Sequence, residues 1–351
     1  IMAKQRKTGI VGGVCMAHAP QFFTLPDTED KATVDRVKAL AEENGKRLKA
    51  LEPDVYVTIS NDHANQFVLH CVPPFAIHRG GVARGSFAGH DFEFPIAGNE
   101  ATALIHYLYD EGYDVAYSST AQVEYSLGIP LTFLDIDGPF LPLFVNAYVP
   151  PQPRMERCFA LGRAIDRGLK AKGLRGVVIA SGGLSHFPGT ERYSEPDLAF
   201  DEKLMGELEG GNLRYLLSLD DKTLDDTGNI ELRCWGVAAG MIGERTPDVV
   251  SFEPNWHHNY GTLAWTTEPD DEAYAPYYPA VAAERVVLTE TLHRLAGDAV
   301  ERDRYLADPA AYAAGIGGLL DQERGALARL DRKEMEAMGM HPFVPHAFLR
   351  V

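Results

Sequence analysis

Short runs of apolar and β-branched residues alternate with amphipathic helical stretches through the first three quarters of the chain. Strands separated by helical connections of ten or more residues pair in parallel, because the helix carries the chain back to the start of the next strand. The pattern therefore predicts an α/β fold with a mostly parallel central sheet flanked by helices. Strands are predicted at residues 8–18, 54–60, 113–118, 141–149 and 176–180, and helices at residues 30–51, 99–111 and 155–172.

The last part of the chain has a different pattern. The acidic, Pro- and Tyr-rich stretch EPDDEAYAPYYPA leads into segments of helical periodicity that contain no strand pattern. These helices are predicted at residues 281–295, 302–306, 309–330 and 332–338. We therefore predict a catalytic domain over residues 8–266 and a small all-helical C-terminal unit over residues 267–351.

Charge and composition limit the classes of partner. The 351 residues carry a net charge of -17 and give a pI near 5.1, whereas nucleic acids and anionic membranes bind basic surfaces. No apolar run approaches the roughly 20 residues that cross a bilayer. We therefore expect neither a nucleic-acid partner nor a membrane partner.

The first residues superficially resemble a secretory signal, because basic residues precede the small apolar stretch GIVGGVCMAHAP. Residues 9–16 contain three glycines, which make a poor apolar segment for a signal, and cleavage would remove the first predicted strand. The four cysteines are scattered without a CxxC motif, as suits a reducing compartment. The sequence therefore predicts a cytoplasmic protein.

Three histidines follow three of the predicted strands. His18 comes after the first strand, His63 ends the stretch VTISNDH, and His186 ends the stretch VVIASGGLSH. In open α/β sheets, ligands bind beyond the carboxyl ends of the strands, where the loops converge. We therefore expect all three imidazoles at one site, although any one of them alone would read as an ordinary loop or core histidine.

A fourth candidate is an acidic residue at the start of an apolar helix. Glu231 lies in the stretch DDTGNIELRCWGVAAGMIG and is predicted in the first turn of that helix. One interpretation is a solvated acid, which the helix dipole favours at this position. However, the neighbours Ile230, Leu232 and Trp235 are apolar, and a carboxylate among them is expected to bind a metal or a base. Two imidazoles and one carboxylate form the facial triad of non-heme Fe(II) oxygenases.

Several ordered motifs resemble those of the class III extradiol dioxygenases, the relatives of the protocatechuate 4,5-dioxygenase β subunit and of 2,3-dihydroxyphenylpropionate dioxygenase. The motifs are CMAHAP, SNDHANQF, PPFAI, SGGLSH and NIELRCW, and the resemblance spans about residues 8–265. In the tail, RYLADPAAYAAG and MGMHPF resemble the helical α subunit of protocatechuate 4,5-dioxygenase. Gallate dioxygenases are similar in carrying such a fusion.

The resemblance implies roles for individual residues. His18, His63 and Glu231 would be ligands of Fe(II), and His186 would be the acid and base that handles the substrate proton. The implied reaction opens the ring of a catechol-type aromatic acid, of the protocatechuate, gallate or O-methylgallate kind, with insertion of both atoms of O2. The resemblance further implies a homo-oligomer, and a helical tail that covers the mouth of the site.

One position departs from the family pattern. Where relatives carry a second active-site histidine, this chain reads QVEYSLGIPLTF, which places Tyr125 there. A phenol donates hydrogen bonds but is a poor base at pH 7, because its ordinary pKa is about 10. We expect Tyr125 either to orient substrate or to pack as a core tyrosine in a strand-to-helix loop.

Other readings of the same scaffold stay open at this stage. Zinc accepts the same ligands, so a metal-dependent hydrolase is one alternative; a non-enzymatic Memo-like binding protein is another. Within the dioxygenase class, 2-aminophenol-type or dihydroxyphenylpropionate-type cleavage would use the same residues.

Several further residues are secondary candidates. Asp62 either orients the neighbouring histidine or forms an Asx turn. The Gly-rich stretch 78–89 is expected to be a loop near the pocket, whose Arg79 and Arg84 could meet a substrate carboxylate. His257 and His258 are candidates for the mouth of the site.

Overall fold

The computed structural model describes residues 6–67, 70–269 and 285–348, without the side chains of residues 346–348. The chain divides into two compact units, Ile1–Asp270 and Asp271–Val351. The strands are β1 (Gly9–Met16), β2 (Val55–Ser60), β3 (Phe75–His78), β4 (Val82–Phe87), β5 (His90–Pro95), β6 (Ala116–Ser118), β7 (Ala121–Gln122), β8 (Phe140–Val145), β9 (Arg175–Ser181), β10 (Val249–Glu253) and β11 (Tyr260–Trp265).

Helices flank the strands in the first unit and make up the described part of the second. In the first unit they are α1 (Gln21–Thr24), α2 (Lys31–Ala50), α3 (Gly98–Asp110), α4 (Tyr125–Leu134), α5 (Met155–Ala171), α6 (Leu198–Glu209), α7 (Asp221–Asp226) and α8 (Leu232–Ile242), with a 3₁₀ helix at Leu213–Ser218. In the second unit they are α9 (Val286–Gly297), α10 (Ala299–Ala307), α11 (Pro309–Gly315), α12 (Asp321–Arg329), α13 (Arg332–Ala337) and α14 (Phe343–Phe348). The predicted α/β fold with a helical C-terminal region is confirmed.

The large sheet orders its strands β10-β11-β1-β9-β2-β8-β3-β6. Its centre is parallel, because β1, β9, β2 and β8 pair side by side in one direction. Both flanks contain antiparallel pairs, which the strand-helix alternation did not predict: β11 lies antiparallel to β1, and β3 lies antiparallel to β8. The parallel centre places the carboxyl ends of β1, β9 and β2 next to one another.

Helices cover both faces of this sheet, as expected for strands that are apolar throughout. In β2, Val55, Val57 and Ile59 belong to a core shared with α3, α5 and α8. Tyr56 points to the other side and joins a core shared with α2 and α4. The sheet is therefore the middle layer of three, and its strand ends are free to build a site.

Two predicted strands are longer than the observed ones because polar turns end or delay them. The strand predicted at 141–149 ends at Val145, where the Asn146 side chain accepts from the Val149 amide at 3.0 Å. The strand predicted at 113–118 is limited to Ala116–Ser118, because the Tyr113 amide still bonds back to α3. The earlier end of β8 matters for the site described below, because the turn that follows this strand carries Tyr148.

The Gly-rich stretch 78–89 is largely strand, so its reading as a loop was wrong. β4 and β5 form an antiparallel hairpin that pairs with β7 in a second, three-stranded sheet. Arg84 bonds Glu93 across this hairpin at 3.0 Å. Arg79 lies 4.3 Å from the centre of the Tyr117 ring, and neither arginine lines the pocket described below.

The described part of the second unit, residues 285–348, is helical around its own core, which includes Leu288, Tyr305 and Leu327. The single helix predicted at 309–330 was wrong: α11 ends at Gly315 and α12 begins at Asp321. Gly318 between them has a φ of 84°, which a continuous helix cannot contain. Residues 281–284 of the first predicted tail helix lie outside the described residues. None of the described helices has the length and apolar character needed to cross a membrane.

A buried histidine at the end of β3 gives the fold a testable pH dependence. Burial lowers the pKa of His78 to about 4, whereas an unfolded chain titrates near 6.5. Between these values the unfolded state binds a proton that the folded state does not, so stability is lost as the pH falls through this window. The free energy of unfolding should fall between pH 7 and pH 5 in both proteins. We expect this fall to be about 2 kcal/mol smaller in His78→Gln than in the parent. Urea unfolding at both pH values measures this, and equal losses in the two proteins would contradict it.

Candidate active site

The three histidines singled out in the sequence lie at one end of the central sheet. His18 follows β1, His63 follows β2 and His186 follows β9, and these are the three adjacent parallel strands at the middle of the sheet. Their loops converge because the carboxyl ends of parallel strands share one edge. The structure thus brings together imidazoles that are separated by as many as 168 residues in the sequence, from His18 to His186.

Glu231 comes to the same point from the N-terminus of α8. It is the residue that precedes the helix rather than one within its first turn, and its side chain is fully buried. Its Oε2 accepts from the Gly183 amide at 2.8 Å, and its Oε1 accepts from Asn61 Nδ2 at 3.1 Å. The carboxylate is therefore fixed from both sides and cannot be a solvated helix-terminus acid.

Two imidazole nitrogens and this carboxylate form a compact cluster. Glu231 Oε1 lies 3.3 Å from His18 Nε2 and 3.5 Å from His63 Nε2. One ligand atom from each residue lies within 4.8 Å of the other two. Atoms bound at about 2.1 Å to one metal ion are separated by about 3 Å or more, so the cluster has the dimensions of a three-ligand metal site.

The orientation of His18 leaves its Nε2 available to such an ion. Its Nδ1 lies 2.7 Å from the Ser181 hydroxyl, and that hydroxyl donates to the Ser126 carbonyl. A hydroxyl has one proton to donate, so it accepts from the imidazole N–H. Nδ1 therefore carries a proton, and the lone pair of neutral His18 is on Nε2.

His63 is oriented in the same way, by a carboxylate. Its Nδ1 lies 2.5 Å from Glu124 Oε1, the residue that precedes α4. Burial opposes the charged imidazolium, but the bonds to Glu124 and Glu231 outweigh burial and raise the pKa of His63 to about 10. The neighbouring Asp62 instead accepts from the amides of residues 65–67. Asp62 thus forms the Asx turn, and Glu124 is the orienting group that sequence reasoning missed.

His186 lies beside the cluster. Its Nε2 is 3.8 Å from Glu231 Oε1, and its Nδ1 bonds the Leu184 carbonyl at 2.9 Å. Nδ1 is therefore the donor and Nε2 the acceptor of the neutral ring. Burial lowers the pKa of His186, so the ring is neutral at pH 7 and its Nε2 lone pair faces the cluster. His258 stacks on it, with ring centres 4.0 Å apart and planes 7° apart.

The stacked pair requires a glycine on the neighbouring loop. A Cβ atom at Gly183 would lie 1.8 Å from His258 Nε2, far inside van der Waals contact. The same glycine donates its amide to Glu231. Gly183 therefore lets the loop after β9 approach both the imidazole and the carboxylate.

Tyr125 is the first residue of α4 rather than part of a loop. Its ring stacks on His63 with centres 4.6 Å apart, and on the other side it contacts Phe87 at 4.8 Å. Burial and the charges of Glu124 and Glu231 raise the pKa of the Tyr125 hydroxyl. The phenol stays protonated and acts as a hydrogen-bond donor only.

Sequence reasoning missed a second tyrosine. Tyr148 lies in the turn after β8, and its hydroxyl is 2.9 Å from Glu231 Oε1 and 3.2 Å from His186 Nε2. Burial and the Glu231 charge raise its pKa above the ordinary value. The signal that could have found it is its place after a fourth central strand, which is the same rule that found the histidines.

These side chains line one pocket of about 80 Å³. The lining residues are His18, Ala19, Pro20, Gln21, His63, Tyr125, Tyr148, His186, Pro188, Tyr193, His257 and His258. Within this lining, His257 Nε2 lies 2.9 Å from the buried Glu29 carboxylate, and Tyr193 stacks on the His257 ring. The pocket is thus lined mainly by imidazole and phenol rings, which combine aromatic surface with a few polar groups, as small-molecule sites commonly do.

Comparison with known proteins agrees with this geometry. Residues 12–267 match the family model described as the catalytic LigB subunit of aromatic ring-opening dioxygenase. The chain belongs to the LigB family. The resemblance to class III extradiol dioxygenases is confirmed by this match, which covers the strands and loops that carry the pocket.

Curated relatives of this LigB chain include two bacterial enzymes named 2,3-dihydroxyphenylpropionate/2,3-dihydroxicinnamic acid 1,2-dioxygenase. The protein of Klebsiella pneumoniae (strain 342) is 33% identical over 196 residues, and that of Escherichia coli (strain K12 / DH10B) is 31% identical over 195 residues. Each match covers 55% of this chain and 62% of the relative. The chain also matches a solved structure of an uncharacterized protein from Escherichia coli K12, with 17% identity and a TM-score of 0.49. This match covers 72% of this chain and 99% of the other chain.

The donor set fits a divalent metal ion. His18 and His63 each direct Nε2 toward Glu231 Oε1, and Glu231 presents a buried anionic oxygen between them. Burial alone would raise the pKa of Glu231, but the nearby imidazoles of His18 and His186 hold it well below its usual range. The side chains that would hold a metal, and the groups that orient both imidazoles, are therefore in place.

Proposed function

We propose that this chain is an Fe(II)-dependent extradiol dioxygenase that opens the ring of a catechol-type aromatic acid with both atoms of O2. The observation that carries the proposal is the cluster of His18, His63 and Glu231, with the neutral base His186 within 3.8 Å of its carboxylate. The LigB family membership supports the reaction class. The names of the relatives support a diol on an aromatic ring that also bears an acid side chain.

In this proposal His18, His63 and Glu231 would hold Fe(II). Bound Fe(II) would bind the diol and O2 and would supply a Lewis acid that lowers the pKa of the diol hydroxyls. Ser181 and Glu124 keep the two imidazoles in the tautomer that binds. Such supporting groups set the affinity of a metal site as well as its geometry.

His186 would accept a proton from a hydroxyl of the bound diol. Because Nδ1–H is bonded to the Leu184 carbonyl, Nε2 is the only nitrogen that can accept a proton from a diol hydroxyl. The ring is neutral at pH 7, so it acts as a base without first losing a proton. After accepting the proton it can return it to an oxygen of the opening ring.

The two tyrosines act as donors beside the reacting oxygens. Tyr125 holds its hydroxyl proton and orients a substrate or an oxygen intermediate rather than shuttling protons. Tyr148 contacts both His186 and Glu231 in the absence of substrate. When a diol enters, the Tyr148 hydroxyl is placed to donate to the oxygen that faces His186.

The test is a substrate screen on anaerobically prepared protein loaded with Fe(II). Protocatechuate, gallate, 3-O-methylgallate, 2,3-dihydroxyphenylpropionate and 2-aminophenol are added separately, and air is then admitted. Uptake of one O2 per ring and the appearance of ring-fission absorbance are expected with at least one of the acids. Absence of O2 uptake with every compound would contradict the proposal and favour a hydrolase or a binding protein on the same fold.

Tyr148 gives a prediction of its own. We expect Tyr148→Phe to lower kcat about tenfold, which is the effect of losing one hydrogen bond to a reacting group. Metal content should be unchanged, because the hydroxyl is not one of the ligands. Tyr193→Phe is the matched control, since Tyr193 also lines the pocket but its hydroxyl accepts from Gln21; its kcat should stay within twofold of the parent. Parent-like turnover in Tyr148→Phe would remove this residue from the mechanism.

A further inference from the structure

A buried carboxylate outside the pocket connects three of the segments that build it. Asp201 lies on α6, and its side chain is fully buried. Its Oδ2 accepts from the Ser185 amide at 2.9 Å and from Asn259 Nδ2 at 2.9 Å. Its Oδ1 accepts from Asn229 Nδ2 at 3.0 Å.

Each of these donors is one or two residues from a group in the site. Ser185 precedes His186, Asn259 follows His258, and Asn229 is two residues before Glu231. The three segments come from distant parts of the sequence. The Asp201 carboxylate is therefore a common point of attachment for the base, the imidazole stacked on it and the acidic member of the cluster.

The same segments are also bonded to one another. The His186 amide donates to the Gly228 carbonyl at 3.1 Å, and the Asn259 amide donates to the Ser185 carbonyl at 3.2 Å. These bonds fix each pair of neighbours along the backbone. Asp201 adds the contact that all three segments share, so its loss would let them shift relative to one another.

The chemistry of the carboxylate matters as well as its size. All three partners are neutral N–H donors, and an ionised carboxylate has only acceptor sites. An amide of the same shape would turn an NH2 group toward at least one of these donors and so remove that hydrogen bond. Burying an unpaired donor is costly, so the surrounding segments would move to relieve it.

We propose that Asp201 is a positioning residue for the site, which fixes His186 against Glu231 and His258 through these three hydrogen bonds. Only the measurement of kcat and KM described below depends on the proposed function. Because a base must hold its position closely to act, a displacement on the order of 1 Å costs up to about a hundredfold in rate. Asp201 itself touches neither the pocket nor the metal cluster.

The experiment compares Asp201→Asn with Glu323→Gln. Glu323 is an equally buried carboxylate that accepts from a backbone amide and from Arg285, but it lies in the helical unit. We expect Asp201→Asn to lower kcat about 10- to 100-fold with KM changed less than threefold. Glu323→Gln should lose stability but keep the parent kcat per folded molecule.

A second readout does not depend on turnover. In metal-free protein, the His186 imidazole resonance is assigned by its absence in His186→Asn, and its position is followed by NMR. We expect it to shift or broaden in Asp201→Asn and to stay unchanged in Glu323→Gln. If the parent opens no ring, the proposed function fails, while this arm still tests the positioning role.

A milder variant covers the case in which Asp201→Asn does not fold. Asn259→Ala removes one of the three donors and leaves the carboxylate in place. It also removes the bond that Asn259 Oδ1 accepts from the Asn255 amide. It should lower kcat by about three- to tenfold, as the loss of the bond to Asp201 would, and shift the same His186 resonance. If Asp201→Asn folds, a parent-like kcat together with an unmoved His186 resonance would overturn the proposal. If Asp201→Asn does not fold, the same two results in Asn259→Ala would overturn it.

Discussion

Exchange of Glu231 for glutamine is expected to abolish metal binding at this site, and ring opening with it. The amide keeps the shape of the side chain but removes the only anionic member of the cluster. In the parent, the Gly183 amide and the Asn61 side chain donate to the Glu231 carboxylate. The glutamine would turn an NH2 group toward one of these two donors. We expect Fe(II) affinity to fall at least about 100-fold and kcat/KM on the order of 1000-fold. Competition with a chromophoric chelator measures the affinity, and O2 consumption measures the rate.

Glu29→Gln is the matched control for this experiment. Glu29 is also buried and also bonds an imidazole, that of His257, which lines the pocket but does not belong to the cluster. The variant should bind Fe(II) as the parent does, whatever its effect on KM. Retention of full metal affinity in Glu231→Gln would show that the cluster is not the metal site.

Replacement of His186 should separate metal binding from catalysis. His186→Asn is expected to keep one metal ion per chain, because the imidazole lies beside the cluster and not within it. Its kcat should fall about 100- to 10,000-fold, the usual contribution of a positioned acid or base. Metal analysis and single-turnover kinetics with a saturating diol measure the two quantities separately.

His257→Gln is the control for the loss of a pocket imidazole. Its ring lies 6.4 Å from that of His258 and is paired with Glu29, so it should change KM rather than kcat. A His186→Asn protein with the parent's ring-opening rate would place the acid and base elsewhere. Loss of the metal in this variant would instead make His186 a ligand.

The parts of the site that could be predicted are those that repeat a rule along the chain. His18, His63 and His186 each follow an apolar run, and the rule that parallel strand ends converge places them together. Glu231 could be predicted because a carboxylate among apolar residues at a helix start needs a partner. Their roles as ligands and as acid and base stay predictions, as do the assembly of the chain and a cover over the site formed by residues 267–351.

The rest depends on register and distant contacts that periodicity does not contain. Glu124 orients His63 across 61 residues, and nothing in its local sequence separates it from any other acid before a helix. Asp201 is unremarkable in an amphipathic helix until its three donors are seen. The antiparallel β3 and the hairpin of β4 and β5 were missed because short strands in Gly-rich sequence resemble loops.

The most direct test of the central claim is a crystal structure of the anaerobic Fe(II)-loaded protein, with the ion located by anomalous scattering at the iron edge. We predict one ion bound by His18 Nε2, His63 Nε2 and a Glu231 oxygen at about 2.0–2.2 Å, with open positions toward His186. An ion bound elsewhere, or one bound here without Glu231, would contradict it.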